Sequence, residues 1–320
     1  MSTGKCDPQI ENLLRKMQEA GAPPTHTLSP VEARELRNPV TIEWGGPSID
    51  FPGVSNRDIP GPAGDIPIRI YRPKGDGPFP ALVYFHGGGW VIGNLDTHDN
   101  VCKDLAKKTI CTVVSVDYRL SPEHKFPTAA EDAYAATRWV TENGPQIGVD
   151  PARIAVGGDS AGGNLATVVC LMARERGGPA LVYQVLIYPV TDLSSADRKS
   201  YRDHGEGYIL TTESMAYFRS HYIGQEEDTL HPHASPLLVS DLKGLPPALI
   251  LAAEIDILKD EGSEYAKRLQ EAGIPTKYLC IDGMIHAFFN MAGMVGKAGD
   301  THDLVAGELR EAFHSEKTPK

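Results

Sequence analysis

Apolar residues gather along this chain in short unbroken runs, among them ALVYF (81–85), TVVSV (112–116) and ALILAA (248–253). A strand with one wet face alternates apolar and polar positions, so unbroken runs of this length point to strands covered on both faces. Strand-like runs fall at 66–72, 81–86, 112–118, 153–157, 183–188, 248–255 and 276–281. Helical stretches separate most of them, at about 97–109, 128–143, 162–176 and 257–272. This alternation predicts the α/β class, with a mostly parallel central sheet flanked by helices.

Two regions break the rhythm. Near the N-terminus Ile10, Leu13, Leu14 and Met17 recur at helical spacing until Gly21-Ala22-Pro23-Pro24, and Ser29-Pro30 reads as the cap and first residue of a second helix. The stretch from Asn38 to Gly64 is rich in glycine and proline and reads as chain wrapped over a surface. Residues 189–247 carry one clear amphipathic segment, Thr212–Tyr222, too little structure for a simple connection between strands. Long insertions at strand ends commonly cover ligand sites. The expected organisation is N-terminal helices over 1–50, an α/β domain built from 51–188 and 248–320, and an insertion at 189–247.

Charge narrows the partners. With 31 Lys and Arg against 42 Asp and Glu the chain carries a net −11, and no basic cluster interleaved with aromatics appears, so no nucleic-acid partner is expected. No apolar run approaches the ~20 residues needed to cross a bilayer, so no membrane partner is expected either. The first residues also lack an apolar core of signal-peptide length. Cys6, Cys102, Cys111, Cys170 and Cys280 are odd in number and never spaced C-x-x-C. That usage suits reduced thiols in a cytoplasmic protein better than a disulfide framework. His231-Pro232-His233 offers two ligands without a third at recognisable spacing, so no metal is expected.

Candidate chemistry lies in two glycine-rich stretches. Gly158-Asp159-Ser160-Ala161-Gly162 is a G-x-S-x-G pentapeptide between an apolar strand run and a helical stretch. A sharp strand-to-helix turn of this kind exposes the serine at its apex and tolerates only small neighbours. A nucleophilic serine needs a base, and the base an orienting carboxylate; in hydrolases of this sheet type they follow in the order Ser, Asp/Glu, His. Of the 11 histidines only His286 sits just past the last strand run. Asp256 ends the run ALILAAEI and is the best-placed acid; Glu254, Asp260 and Glu261 are its rivals. His98, His204 and His221 have ordinary surface or packing readings. The second stretch, His86-Gly87-Gly88-Gly89-Trp90, follows a strand with three successive glycines, which lets backbone approach a small group closely. Trp90, Asp159 and Tyr188 stand near these motifs as candidate pocket residues, with plain packing the alternative for Trp90 and Tyr188. His86 reads as a brace for its own loop.

HGGGW (86–90), GDSAGG (158–163), the segment DYRLSPEHKFP (117–127) and the pairing of DILKDEG with HAF across 256–288 together resemble the hormone-sensitive-lipase family of α/β-hydrolases, in its bacterial GDSAG-type esterases. The resemblance runs over nearly the whole chain. It implies a mostly parallel sheet with one antiparallel strand, and a helical cap made from the N-terminal helices and the 189–247 insertion. It implies Ser160 as nucleophile, His286 as base, Asp256 as its orienter, and backbone N–H groups of Gly88, Gly89 and Ala161 as oxyanion donors. It implies hydrolysis of small carboxylic esters of short to medium acyl chain without a cofactor. Homodimers are common in the family, which leaves a homodimer open for this chain. Many members carry Gly after the catalytic histidine and Pro after the aspartate, where this chain has Ala287 and Ile257. An amidase or arylformamidase on the same fold, and a non-catalytic binding relative, are the alternatives; the presence of His286 argues against the second.

Overall fold

The unbroken apolar runs form the middle of one eight-stranded sheet. Its strands are β1 (Val54–Gly61), β2 (Gly64–Tyr71), β3 (Phe79–Phe85), β4 (Thr112–Val116), β5 (Val149–Asp159), β6 (Tyr183–Ile187), β7 (Ala248–Ile255) and β8 (Thr276–Ile285) in a computed structural model that describes residues 5–315. Their order across the sheet is β1-β2-β4-β3-β5-β6-β7-β8. Only β2 runs against its neighbours, and every pairing from β4 to β8 is parallel. Every residue of β4 and β6 is buried, because helices cover both faces.

One face packs on α1 (Pro8–Ala20), α3 (Asp99–Thr109) and α9 (Gly296–His314) through residues such as Ile10, Leu105, Val305 and Leu309. The other packs on α4 (Thr128–Asn143), α5 (Ala161–Arg176) and α8 (Lys259–Glu271) through Val140, Leu165, Val169 and Leu269. Three more helices complete the described residues: α2 (Pro30–Trp44), α6 (Lys199–His204) and α7 (Thr212–Tyr222), the last packed on the turn at Thr25–Thr27. Among the described residues no helix is long and apolar enough to cross a membrane.

Three elements differ from the sequence reading. The Asn38–Gly64 stretch is not only surface wrapping: α2 runs through Pro39 to Trp44, and Val54–Gly61 is an edge strand. Pro39 is tolerated because it and Glu35, whose carbonyl it leaves unbonded, lie on the exposed side of α2 where water can serve. β1 buries only Ile59, so it has no apolar pattern to read. Helix α9 went unread because Gly296 and Gly299 sit in its first turn and no side chain caps it, although Val305, Leu309 and Phe313 anchor its inner face.

Candidate active site

The site begins where β5 hands over to α5. Asp159 ends the strand and Ala161 opens the helix, so Ser160 alone makes the turn, at φ 56° and ψ −117°. Holding a non-glycine residue there costs on the order of 1–3 kcal/mol, and the surrounding chain must impose it. The Ser160 N–H donates to the Ile187 carbonyl at 2.8 Å, and its carbonyl accepts the Asn164 N–H at 3.0 Å. The following glycine makes the turn possible. A Cβ on Gly162 would stand 1.9 Å from the Phe85 carbonyl oxygen, inside any contact distance.

Two later strand ends bring partners to this serine. Ser160 Oγ donates to His286 Nε2 at 2.9 Å, and His286 Nδ1 donates to Asp256 Oδ2 at 2.7 Å. Asp256 Oδ1 accepts the Leu258 N–H at 3.0 Å, which fixes the carboxylate plane. All three side chains are buried. The rival acids are engaged elsewhere: Glu254 accepts the Gly283 N–H, and Asp260 accepts the Ser200 N–H.

Glu261 is wholly buried on α8, where one oxygen accepts the Thr191 and Asp192 N–H groups. Burial pushes its carboxyl up to about 8 from an ordinary 4.5. A raised carboxyl keeps in the folded state a proton that the unfolded chain has already released, so its contribution is fully present below about 4.5 and is lost as pH rises through about 8. The wild-type urea midpoint is therefore expected to fall between about pH 5 and pH 8 by more than that of Glu261→Gln. Equal declines in the two proteins would refute this account.

The glycine loop lies across from the serine. Gly88 and Gly89 adopt φ 119° and φ 58°, and a Cβ on Gly89 would come 2.3 Å from the Phe218 ring of α7, so the insertion packs directly on this loop. Among the described residues neither the Gly88 nor the Gly89 N–H donates to a protein acceptor. The Ala161 N–H belongs to the first turn of α5, where helix donors lack partners within the helix and the dipole favours negative charge. His86 Nδ1 donates to the Gly87 carbonyl at 2.7 Å, its ring stacks on Tyr118, and burial pushes its pKa down to about 3.

Asp159 turns out to be the junction of these parts. Its Oδ1 accepts from Tyr84 Oη at 2.8 Å, the Gly87 N–H at 3.1 Å and His98 Nε2 at 3.0 Å, and its Oδ2 accepts from Asn290 Nδ2 at 3.1 Å. Burial alone would raise its carboxyl; the charge and hydrogen bond of His98, with the hydrogen bonds of Tyr84 and Asn290, hold it at about 2. His98 and Asn290 were not singled out from sequence. Neither has a motif of its own; His98, given a surface or packing reading from sequence, is buried and pairs with Asp159.

Ser160, His286 and the glycine loop open on a cavity of about 910 Å3, lined also by α1, α2 and residues 206–218. Trp90 and Asp159 are in its wall. Trp90 is fully buried and stacks on Tyr222 with centroids 4.1 Å apart. Tyr188 is not in the wall; it packs behind the site, its ring centroid 4.7 Å from that of His286. His231 and His233 lie far along the insertion, the second bonded to Glu175. Among the described residues no three His, Cys, Asp or Glu side chains gather to hold a metal ion.

A serine, imidazole and carboxylate in line at a strand-to-helix turn define a serine hydrolase arrangement on an α/β sheet. Known proteins agree. The family described as alpha/beta hydrolase fold matches residues 82–290. The carboxylic ester hydrolase LipN of Mycobacterium tuberculosis is 45% identical over 268 residues, 82% of this chain and 71% of its own. The ethyl acetate hydrolase of Pseudomonas putida is 38% identical over 295 residues, covering 90% of this chain and 92% of that one. The solved structure of an alpha/beta hydrolase enzyme from the metagenome of Lake Arreo, Spain, in a serine-to-alanine form, is similar with a TM-score of 0.94 at 40% identity, over 98% of this chain and 100% of the other. The chain belongs to the α/β-hydrolase family, within its hormone-sensitive-lipase type.

Proposed function

We propose that this protein is a serine carboxylesterase in which Ser160 is the nucleophile, His286 the general base and Asp256 its orienter. The continuous chain of bonds from Ser160 Oγ through His286 to Asp256 is the observation that carries this reading. Ser160 Oγ attacks the ester carbonyl carbon while its proton passes to His286 Nε2. The tetrahedral oxyanion is received by the N–H groups of Gly88, Gly89 and Ala161, donors already in place before the charge develops. Collapse breaks the C–O bond to the alcohol, and His286 returns the proton to the departing alkoxide. Water then repeats the sequence on the acyl-enzyme, with His286 taking its proton, and releases the acid. Asp256 keeps the Nδ1–H tautomer and stabilises the imidazolium.

The N-terminal helices of the 1–50 region, of which residues 1–4 lie outside the described residues, contribute with 189–247 to the cap, a reading supported by their share of the cavity wall and by the seat of Phe218 on Gly89. Substrates are small esters of short to medium acyl chain. Five unpaired cysteines support a reducing, cytoplasmic setting, and family resemblance alone supports a homodimer. A panel of p-nitrophenyl esters from acetyl to palmitoyl beside matched p-nitroanilides tests the chemistry. Esters of short and medium chain are expected to turn over fastest, with the anilides well below them. Anilides cleaved as fast as esters, or neither cleaved, would overturn the reading.

A further inference from the structure

Among the described residues, the cavity wall contains one arginine whose charge no carboxylate meets. The side chains there that can carry positive charge are Arg15, His26, Arg37, His98 and His286. Arg15 pairs with Glu19, His98 with Asp159, and His286 with Asp256, while His26 is exposed. Arg37, on α2, is half-buried and gives its hydrogen bonds to neutral oxygens: Nε to Thr25 Oγ1 at 3.0 Å, and Nη2 to the Pro23 carbonyl. Its Nη1 has no protein acceptor among the described residues. Burial lowers its pKa without an opposing carboxylate, whereas Arg34 on the same helix forks onto Glu123.

The carboxylates of the wall do not neutralise it. Glu11, Glu206 and Glu213 are exposed, where water screens them, and Asp159 is committed to His98. The guanidinium also stands on firm footing. Arg34 Nε donates to the Val91 carbonyl and Nη2 to the Ser121 carbonyl, each at 2.8 Å, and Asn38 Oδ1 accepts the Gly93 N–H at 3.0 Å, so α2 is bolted to the loop that follows Trp90. A partly desolvated guanidinium with donors to spare is best matched by a planar carboxylate.

We propose that Arg37 forms a subsite for a carboxylate on the substrate, so that the favoured esters include half-esters of dicarboxylic acids. The scissile carbonyl sits at Ser160 and the free carboxylate at Arg37, with the acyl chain between them in the apolar part of the cavity. The proposal rests on the esterase reading above.

Monoethyl succinate, adipate and suberate, each beside the counterpart in which a primary amide replaces the carboxylate, test it on wild type and Arg37→Gln. At one or more chain lengths the wild-type kcat/KM is expected to favour the acid over the amide by about tenfold or more at low salt. Added sodium chloride should shrink that preference. In Arg37→Gln the preference for the acid over the amide should vanish. A preference unchanged in Arg37→Gln, or absent from wild type at every length, overturns the subsite. If Arg37→Gln does not fold, the wild-type acid-to-amide ratio and its salt dependence decide the matter. Hydrolysis of p-nitrophenyl butyrate, followed in parallel, reports on the esterase reading independently of either outcome.

Discussion

Ser160→Ala is expected to lower kcat for p-nitrophenyl butyrate by about a millionfold, the scale seen when a nucleophile is removed from an intact triad. His286 and Asp256 remain bonded to each other in the variant, so nothing else in the site need move. The loss should therefore fall on kcat, with binding of unreactive ester analogues preserved and the melting temperature close to that of wild type. Labelling by a fluorophosphonate should disappear in the same variant, because the probe needs the Oγ that attacks the ester. Activity within about tenfold of wild type would remove Ser160 from the mechanism.

Gly162→Ala is the largest effect expected on stability. The new methyl would lie 1.9 Å from the Phe85 oxygen, 2.6 Å from its carbonyl carbon and 2.8 Å from the His86 oxygen. These are backbone atoms at the end of a central strand, so relief requires β3 and α5 to separate where both are buried. Overpacking of this kind costs about 3 kcal/mol or more. In a chain of 320 residues that corresponds to a fall in melting temperature of roughly 4–5 °C or more. Activity should fall too, since the loop beginning at His86 carries the proposed oxyanion donors. A variant with wild-type melting temperature and kcat would show that the turn is looser than its geometry implies.

Legibility of the fold followed burial. Strands β3, β4 and β7 could be read because both faces are covered, leaving unbroken apolar runs, while β1 at the edge buries a single residue and left no signal. α4 spans 128–143, as its periodicity predicts, whereas α9 starts on glycines without a cap and stayed hidden. The serine, histidine and aspartate that meet in space were legible because each follows the end of a strand of the parallel part of the sheet, and parallel strands deliver their ends to one edge of the sheet. His98 and Asn290 were not, since their parts depend on a carboxylate that reaches them only after folding. Arg37 likewise gains meaning only when a cavity forms around α2.

Asp159 occupies the variable second position of G-x-S-x-G, a place that invites free substitution in an engineering library. Its four donors come from β3, the glycine loop, the start of α3 and the turn after His286. Mutational tolerance at 159 is thus conditional on the residues at 84, 98 and 290. Single-site saturation would score position 159 as nearly immutable, yet a library that varies all four together should contain active solutions that no stepwise walk through single changes would reach.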